Sequence, residues 1–320
     1  MIPQPFDAWF DAPPRRVLIA GAGGGFDIIA GMPVALAIER KGHHVELANL
    51  TWSSMASVDN KQQLAEGLWR IDASSNGGEY FPEGALAKWR KQHGANDRVY
   101  CLQQCGGRPL RAIYRALVDE TQADTIVLVD GGVDSLLRGD EHSLGTPTAD
   151  ALSIAAALDC DVPGMFLATL AFGAERHDRI AHIEALERMA NLTAEGAFLG
   201  SESIVSTGSA GSEFGKLFAS CADFVQDAHP PYKNSIVVST MQSALRGDFG
   251  ERSVNARTEQ TPIWVSPLAA MAFYFDLRAV GAAKPYLAAL RDTDHLLQAS
   301  AIIEAFWGAA PARPFTNIPI

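Results

Sequence analysis

The sequence predicts a three-layer α/β fold, a Rossmann-like, mostly parallel sheet with helices on both faces. Three observations carry this. Apolar runs of strand length alternate with segments of helical period along the chain. The runs are near-continuously hydrophobic rather than alternating, as in strands buried on both faces. Three of them lead directly into glycine pairs or triples, which in an open parallel sheet all lie at the carboxyl edge.

The strand candidates, in order, are Arg16–Ala20, His44–Ala48, Arg98–Leu102, Thr125–Val129, Met165–Ala168, Ser235–Ser239 and Pro262–Val265. Leu110, Ile113, Tyr114, Leu117 and Val118 follow the i, i+3, i+4, i+7, i+8 spacing of one helix face, and Phe214, Leu217, Phe218 and Cys221 follow it again. Thr146-Pro147 reads as the cap and first residue of a helix over Ala149–Leu158. Ser266-Pro267 reads as the same start signal before a helix over Leu268–Val280, with Gly281 as its stop. A last helix runs from about Asp294 to Trp307 and ends at Gly308. The chain of 320 residues is read as a single α/β domain, with 51–94 as an insertion or cap and 311–320 as an extended tail.

Of the residues, 48% are apolar and 20% charged, enough for a large core without staples. No membrane span or signal peptide is expected. The net charge of −11 argues against nucleic acid and membranes as partners. Four cysteines without framework spacing fit reduced thiols and a cytoplasmic location. The expected partner is a small-molecule ligand, and a homo-oligomer is compatible with the sequence.

The glycine loops are the expected site. Gly23, Gly24 and Gly25 with Asp27 follow the first strand, Gly106 and Gly107 the third, and Gly131 and Gly132 the fourth. Their backbone N–H groups are expected to line one cleft, the first loop holding an anion. The alternative for that loop is close strand-to-helix packing alone. It is not a nicotinamide fingerprint: Phe26 replaces the third glycine, and Asn49, not an acid, ends the next strand. Pro33 places a helix start near Gly31 or a kink.

The loop from Asp130 to Pro147 crowds Asp130, Asp134, Asp140 and Glu141 with Arg138 and His142. Carboxylates this close raise one another's pKa or share a hard cation such as Mg²⁺ or Ca²⁺. Asp130 and Asp134 are the expected catalytic acids. Asp130, Asp134 and Asp140 are the expected metal ligands, and Arg138 an expected ligand contact; the alternative is a solvated acidic loop. Cys105, near Arg108 and Arg111, is a candidate low-pKa thiol, although packing explains most such cysteines. Arg257, Asn255, Gln242, Arg246 and Asp248 are weaker candidates for the same edge. The Ala210–Leu217 stretch lacks the first glycine and the Ser/Thr of a phosphate loop, and His177 with His182 is poorly spaced for zinc.

Gly23-Gly-Gly-Phe-Asp27, Val129-Asp-Gly-Gly-Val-Asp-Ser-Leu136, Arg138-Gly-Asp-Glu141 and Leu144-Gly-Thr-Pro147 together resemble the domain-of-unknown-function 1152 family, as do Ser266-Pro-Leu268 and Phe275-Asp-Leu277. The resemblance runs from about Arg15 to Ala310. It implies an α/β domain with these loops as its signature and carries over no activity. Phe26 stands where a further glycine is expected in the family. From the residues, the first functional reading is an enzyme, a hydrolase or lyase. It acts on a nucleotide- or sugar-like metabolite through carboxylates, with metal assistance left open. The alternative is a non-catalytic nucleotide- or metabolite-binding regulatory protein.

Overall fold

The structure is a computed structural model and describes residues 4–175, 180–204 and 212–316. His177 and the Ala210-Gly211 pair lie outside the described residues. The elements run α1 (Pro5–Trp9), β1 (Arg16–Gly21), α2 (Asp27–Ala30), α3 (Met32–Arg40), β2 (His44–Thr51), β3 (Gln62–Ala65), β4 (Leu68–Ile71), α4 (Pro82–Gln92), β5 (Val99–Gln103), α5 (Gly107–Thr121) and β6 (Thr125–Asp130). Then come α6 (Thr148–Ala157), β7 (Gly164–Thr169), α7 (His182–Ala194), β8 (Phe198–Ser203), α8 (Ser212–Asp227), α9 (Ile236–Leu245), β9 (Gly250–Arg252), β10 (Ile263–Val265), β11 (Met271–Asp276), α10 (Leu277–Ala282), α11 (Leu287–Leu290) and α12 (Leu296–Ala309).

Among the described residues, the main sheet has nine strands in the order β3-β4-β5-β2-β1-β6-β7-β11-β8. Its five central strands, β5-β2-β1-β6-β7, are parallel, and the outer ones pair antiparallel. Side chains alternate across it as the strand period requires. Leu18, Ala20, Ile126 and Leu128 face a core shared with α5, α6, α7, α10, α11 and α12. Val17, Ile19, Val127 and Val129 face the opposite core, shared with α1, α2, α3, α4, α8 and α9. The three-layer expectation therefore holds. Leu110, Ile113, Tyr114 and Leu117 form the buried stripe of α5. Pro33 lies in the first turn of α3, after the short α2.

Three expectations fail for physical reasons. The run Ser235–Ser239 is helical: Ser235 caps α9 by accepting the Val238 N–H at 3.2 Å. A short buried apolar run fits either a strand or a buried helix, and the cap decides between them here. Leu268–Val280 is not one helix. Met271-Ala-Phe-Tyr-Phe-Asp276 is a strand wedged between β7 and β8, and Asp276 caps α10 at Ala279 N–H (2.9 Å). Aromatic content overrode the start signal at Ser266-Pro267, which yields only a single turn of 3-10 helix. Pro262–Val265 does not join the main sheet either; among the described residues β10 pairs with β9 alone. Within 51–94, β4 extends the sheet from β5, and Trp52 and Tyr80 reach the cleft described next. Among the described residues, no helix is long and apolar enough to cross a membrane.

Candidate active site

From β1 the chain leaves toward β2 and β5 on one side, and from β5 it returns to β6 on the other. The ends of β1 and β6 therefore flank the topological switch point, where open α/β sheets leave a crevice. A cleft of about 710 Å³ opens there. Gly23, Gly24, Gly25, Phe26 and Asp27 line it from the first loop, and Asp130, Gly131 and Asp134 from the loop after β6. Asp150 comes from the first turn of α6 and Thr146 from the segment before it, Glu175 from the segment after β7, and Ser235, Ile236 and Val237 from the start of α9. Trp52, Tyr80, Tyr232, Lys233 and Arg257 complete the rim.

Gly24 and Gly25 adopt φ of +86° and +61°, which side chains resist. Asn49 fixes this turn by donating its amide to Gly25 O (2.9 Å) and to Glu83 Oε1 (2.8 Å). Trp52 donates its indole N–H to Gly23 O at 3.0 Å. The expected anion cradle is filled from within the chain. Gly23 N–H donates to Asp27 Oδ2 at 2.7 Å, and the N–H groups of Gly24 and Gly131 also favour the Asp27 carboxylate. The loop's anion is thus Asp27 itself.

Asp27 is half-buried yet largely enclosed by protein, and desolvation pushes it up to about 7. The neighbouring Asp134 charge adds to this rise, and the backbone donors oppose it. Asp130, Asp150 and Glu175 are likewise held well above the usual carboxylate range, by burial first and then by Asp134. Asp130 Oδ2 accepts the Ser135 N–H (3.2 Å) and its hydroxyl. Asp134 Oδ2 accepts the Thr146 N–H (2.8 Å) and hydroxyl (3.3 Å), so Thr146 holds an acid rather than capping α6. Glu175 accepts the N–H of Val133 at 2.6 Å and of Asp134 at 3.4 Å. Both its oxygens hold the loop after β6. Beneath the acids lies Lys284, 3% exposed, its ammonium donating to Leu137 O. Burial pushes it down to about 8, and Glu141, Asp134 and Asp150 pull it back up.

The structure gathers Gly23, Gly24, Gly25, Asp27, Asp130, Gly131 and Asp134, and leaves out Gly106, Gly107, Gly132, Arg138 and Asp140. Gly132 does not line the cleft; a Cβ there would meet Glu175 Oε1 at 2.2 Å. Gly106 and Gly107 pack instead against the backbone of residues 290–295. β5 is two strands from β1, about 10 Å, which takes its loop off the switch point. Asp140 is replaced by Asp150: the chain turns away at Gly139 (φ +101°), and Asp130, Asp134 and Asp150 form the carboxylate group. Arg138 is exposed, and its backbone N–H binds Glu141. Cys105 is not activated. Burial pushes its thiol up to about 11, while Arg108 pairs with Asp294 and Arg111 with Asp159. Of the weaker candidates only Arg257 reaches the cleft.

Asp150 and Glu175, absent from the sequence candidates, each carry a sequence signal. Asp150 is an acid in the first turn of the α6 helix announced by Thr146-Pro147. Glu175 follows Gly173 after β7, repeating on the next strand the glycine-then-acid pattern of the other loops.

A family model described as a protein of unknown function (DUF1152) matches residues 18–309 of the chain. No curated protein and no solved structure matches it.

Proposed function

The chain belongs to the DUF1152 family, whose description assigns no activity, and from its cleft we propose an enzyme that cleaves a small polar metabolite by hydrolysis or elimination. The observation supporting this reading is the set of buried acids, Asp130, Asp134 and Asp150, at the floor of an open cleft of about 710 Å³. Burying like charges together opposes folding, and enzymes accept that opposition where proton transfer is needed. Asp27, poised near 7, is the proton-transfer group, able to give or take a proton at neutral pH. Asp130 and Asp134 are the catalytic acids that face the reacting group. On the rim, Arg257 meets an anionic portion of the substrate, beside Lys233, which is paired with Glu79 at 2.8 Å, and the aromatic residues Trp52, Tyr80 and Tyr232 line the approach of a base or sugar. That supports a nucleotide- or sugar-like substrate. The four cysteines are free, and we place this activity in the cytoplasm.

The test is incubation of the full chain with a panel of nucleotides and sugar phosphates, read by mass spectrometry for product. The expected result is one substrate turned over, with Asp27→Asn slower by roughly 100-fold or more in kcat. A ligand that stabilises the protein and is recovered unchanged would replace this reading with that of a binding protein.

A further inference from the structure

We infer that Asp130, Asp134 and Asp150 hold a hard divalent cation, Mg²⁺ or Mn²⁺, at the floor of the cleft. This rests on the reading of the cleft as an active site and gives that site its cofactor.

One oxygen from each of the three carboxylates lies within 4.8 Å of the others, the spacing of ligands around one small ion. The residues are 4%, 3% and 3% exposed, so little water reaches their charge. Ser135 holds Oδ2 of Asp130 and Thr146 holds Oδ2 of Asp134, which orients each carboxylate. Asp150 supplies the independent observation. Its Oδ1 is buried and has no hydrogen-bond donor among the described residues. A buried carboxylate oxygen with no donor wants a cation or a proton.

Neighbouring residues narrow the choice. Glu175 accepts from the Val133 and Asp134 N–H groups and lies against the Asp134 carboxyl. The Lys284 ammonium is spent on Leu137 O, and one positive charge does not balance three acids. A Cβ on Gly23 would lie 3.1 Å from both Asp150 oxygens, so the glycine lets the first loop close over this spot. The donors are all oxygen, which selects a hard ion over zinc or copper. Three protein ligands leave the remaining positions open to the cleft, for water and for a substrate oxygen.

The test is calorimetric titration of the full chain, stripped by chelator and dialysed, with Mn²⁺, Mg²⁺ and Ca²⁺. The expected result is one saturable site for Mn²⁺ and Mg²⁺, weakened 10-fold or more in Asp150→Asn. Asp140→Asn, outside the cluster, should bind as the parent does. Mn²⁺ should also raise the melting temperature of the unsubstituted chain, a readout that needs no variant to fold. Absence of saturable binding with no thermal shift overturns the inference, as does binding unchanged in Asp150→Asn or a site that takes Ca²⁺ alone. Turnover of a metabolite in excess chelator would overturn the cation while leaving the enzyme standing. Saturable Mn²⁺ binding with no turnover would support the cation and count against the enzyme alone.

Discussion

The loop after β5 and the loop after β6 look alike in sequence, each a buried strand ending at a glycine pair, and they do opposite things. Gly106 and Gly107 sit against main chain, with Leu290 O 2.1 Å from where a Gly107 Cβ would be. Gly131 and Gly132 sit against acids, with Asp27 Oδ1 2.7 Å from a Gly131 Cβ and Glu175 Oε1 2.2 Å from a Gly132 Cβ. The first pair lets the turn between α11 and α12 close on α5. The second lets carboxylates crowd at a strand end. A glycine after a strand marks close approach in both cases. What approaches depends on strand order, because only β1 and β6 flank the switch point.

Substitution should separate the two loops. Gly107→Val drives a side chain into fixed backbone and should cost about 3 kcal/mol in urea unfolding. Whatever remains folded should keep its cleft, with Mn²⁺ affinity within twofold of the parent. Gly132→Ala meets a side chain that can rotate, at the loss of the Val133 N–H acceptor, and should cost about 1 kcal/mol. It should nevertheless weaken Mn²⁺ binding, since Glu175 holds the loop that carries Asp130 and Asp134. If both variants changed stability and binding in proportion, the contrast between the loops would be gone.

Proton linkage sharpens the same contrast. Asp27 sits at about 7 in the native protein against 3.8 for the ordinary side chain. Between those values the native state holds a proton that the unfolded chain has lost. Stability is then fully present below about pH 4 and falls as pH rises toward 7. Asp130, Asp150 and Glu175 shift in the same direction and extend the fall. Lys284, lowered from 10.5 to about 8, acts oppositely, returning stability only between those values. Each proton so retained costs about 1.4 kcal/mol per pH unit. In chelator, urea midpoints should drop from pH 5 to pH 8. A flat or rising profile would mean that the acids are not desolvated in the way the geometry indicates.

The central strands were legible because a strand buried on both faces reads as an unbroken apolar run. β3 and β4 were hidden in 51–94 because Gln62, Gln63 and Arg70 at the sheet edge look like loop. β8 was missed for the same reason: Ser201 and Glu202 are polar edge residues. The site was half legible. Asp27, Asp130 and Asp134 stand in visible glycine–acid motifs and do converge. Asp150 was hidden because an acid in a helix's first turn usually serves the helix dipole. Asp140 lies outside the group of clustered acids because spacing along the chain says nothing of the turn at Gly139. The rim from Trp52 to Arg257 depends on the fold bringing distant segments together, which no local pattern encodes.

The buried acids are kept either for chemistry or for the fold. The most direct measurement is the unfolding free energy of Asp150→Asn against the parent at pH 8 in chelator. The amide removes a carboxyl whose ionisation burial and its neighbours oppose, and can donate to a neighbouring acid. The account predicts a gain in stability of about 1–2 kcal/mol. A loss of that size would show that Asp150 holds the structure together, and would contradict it.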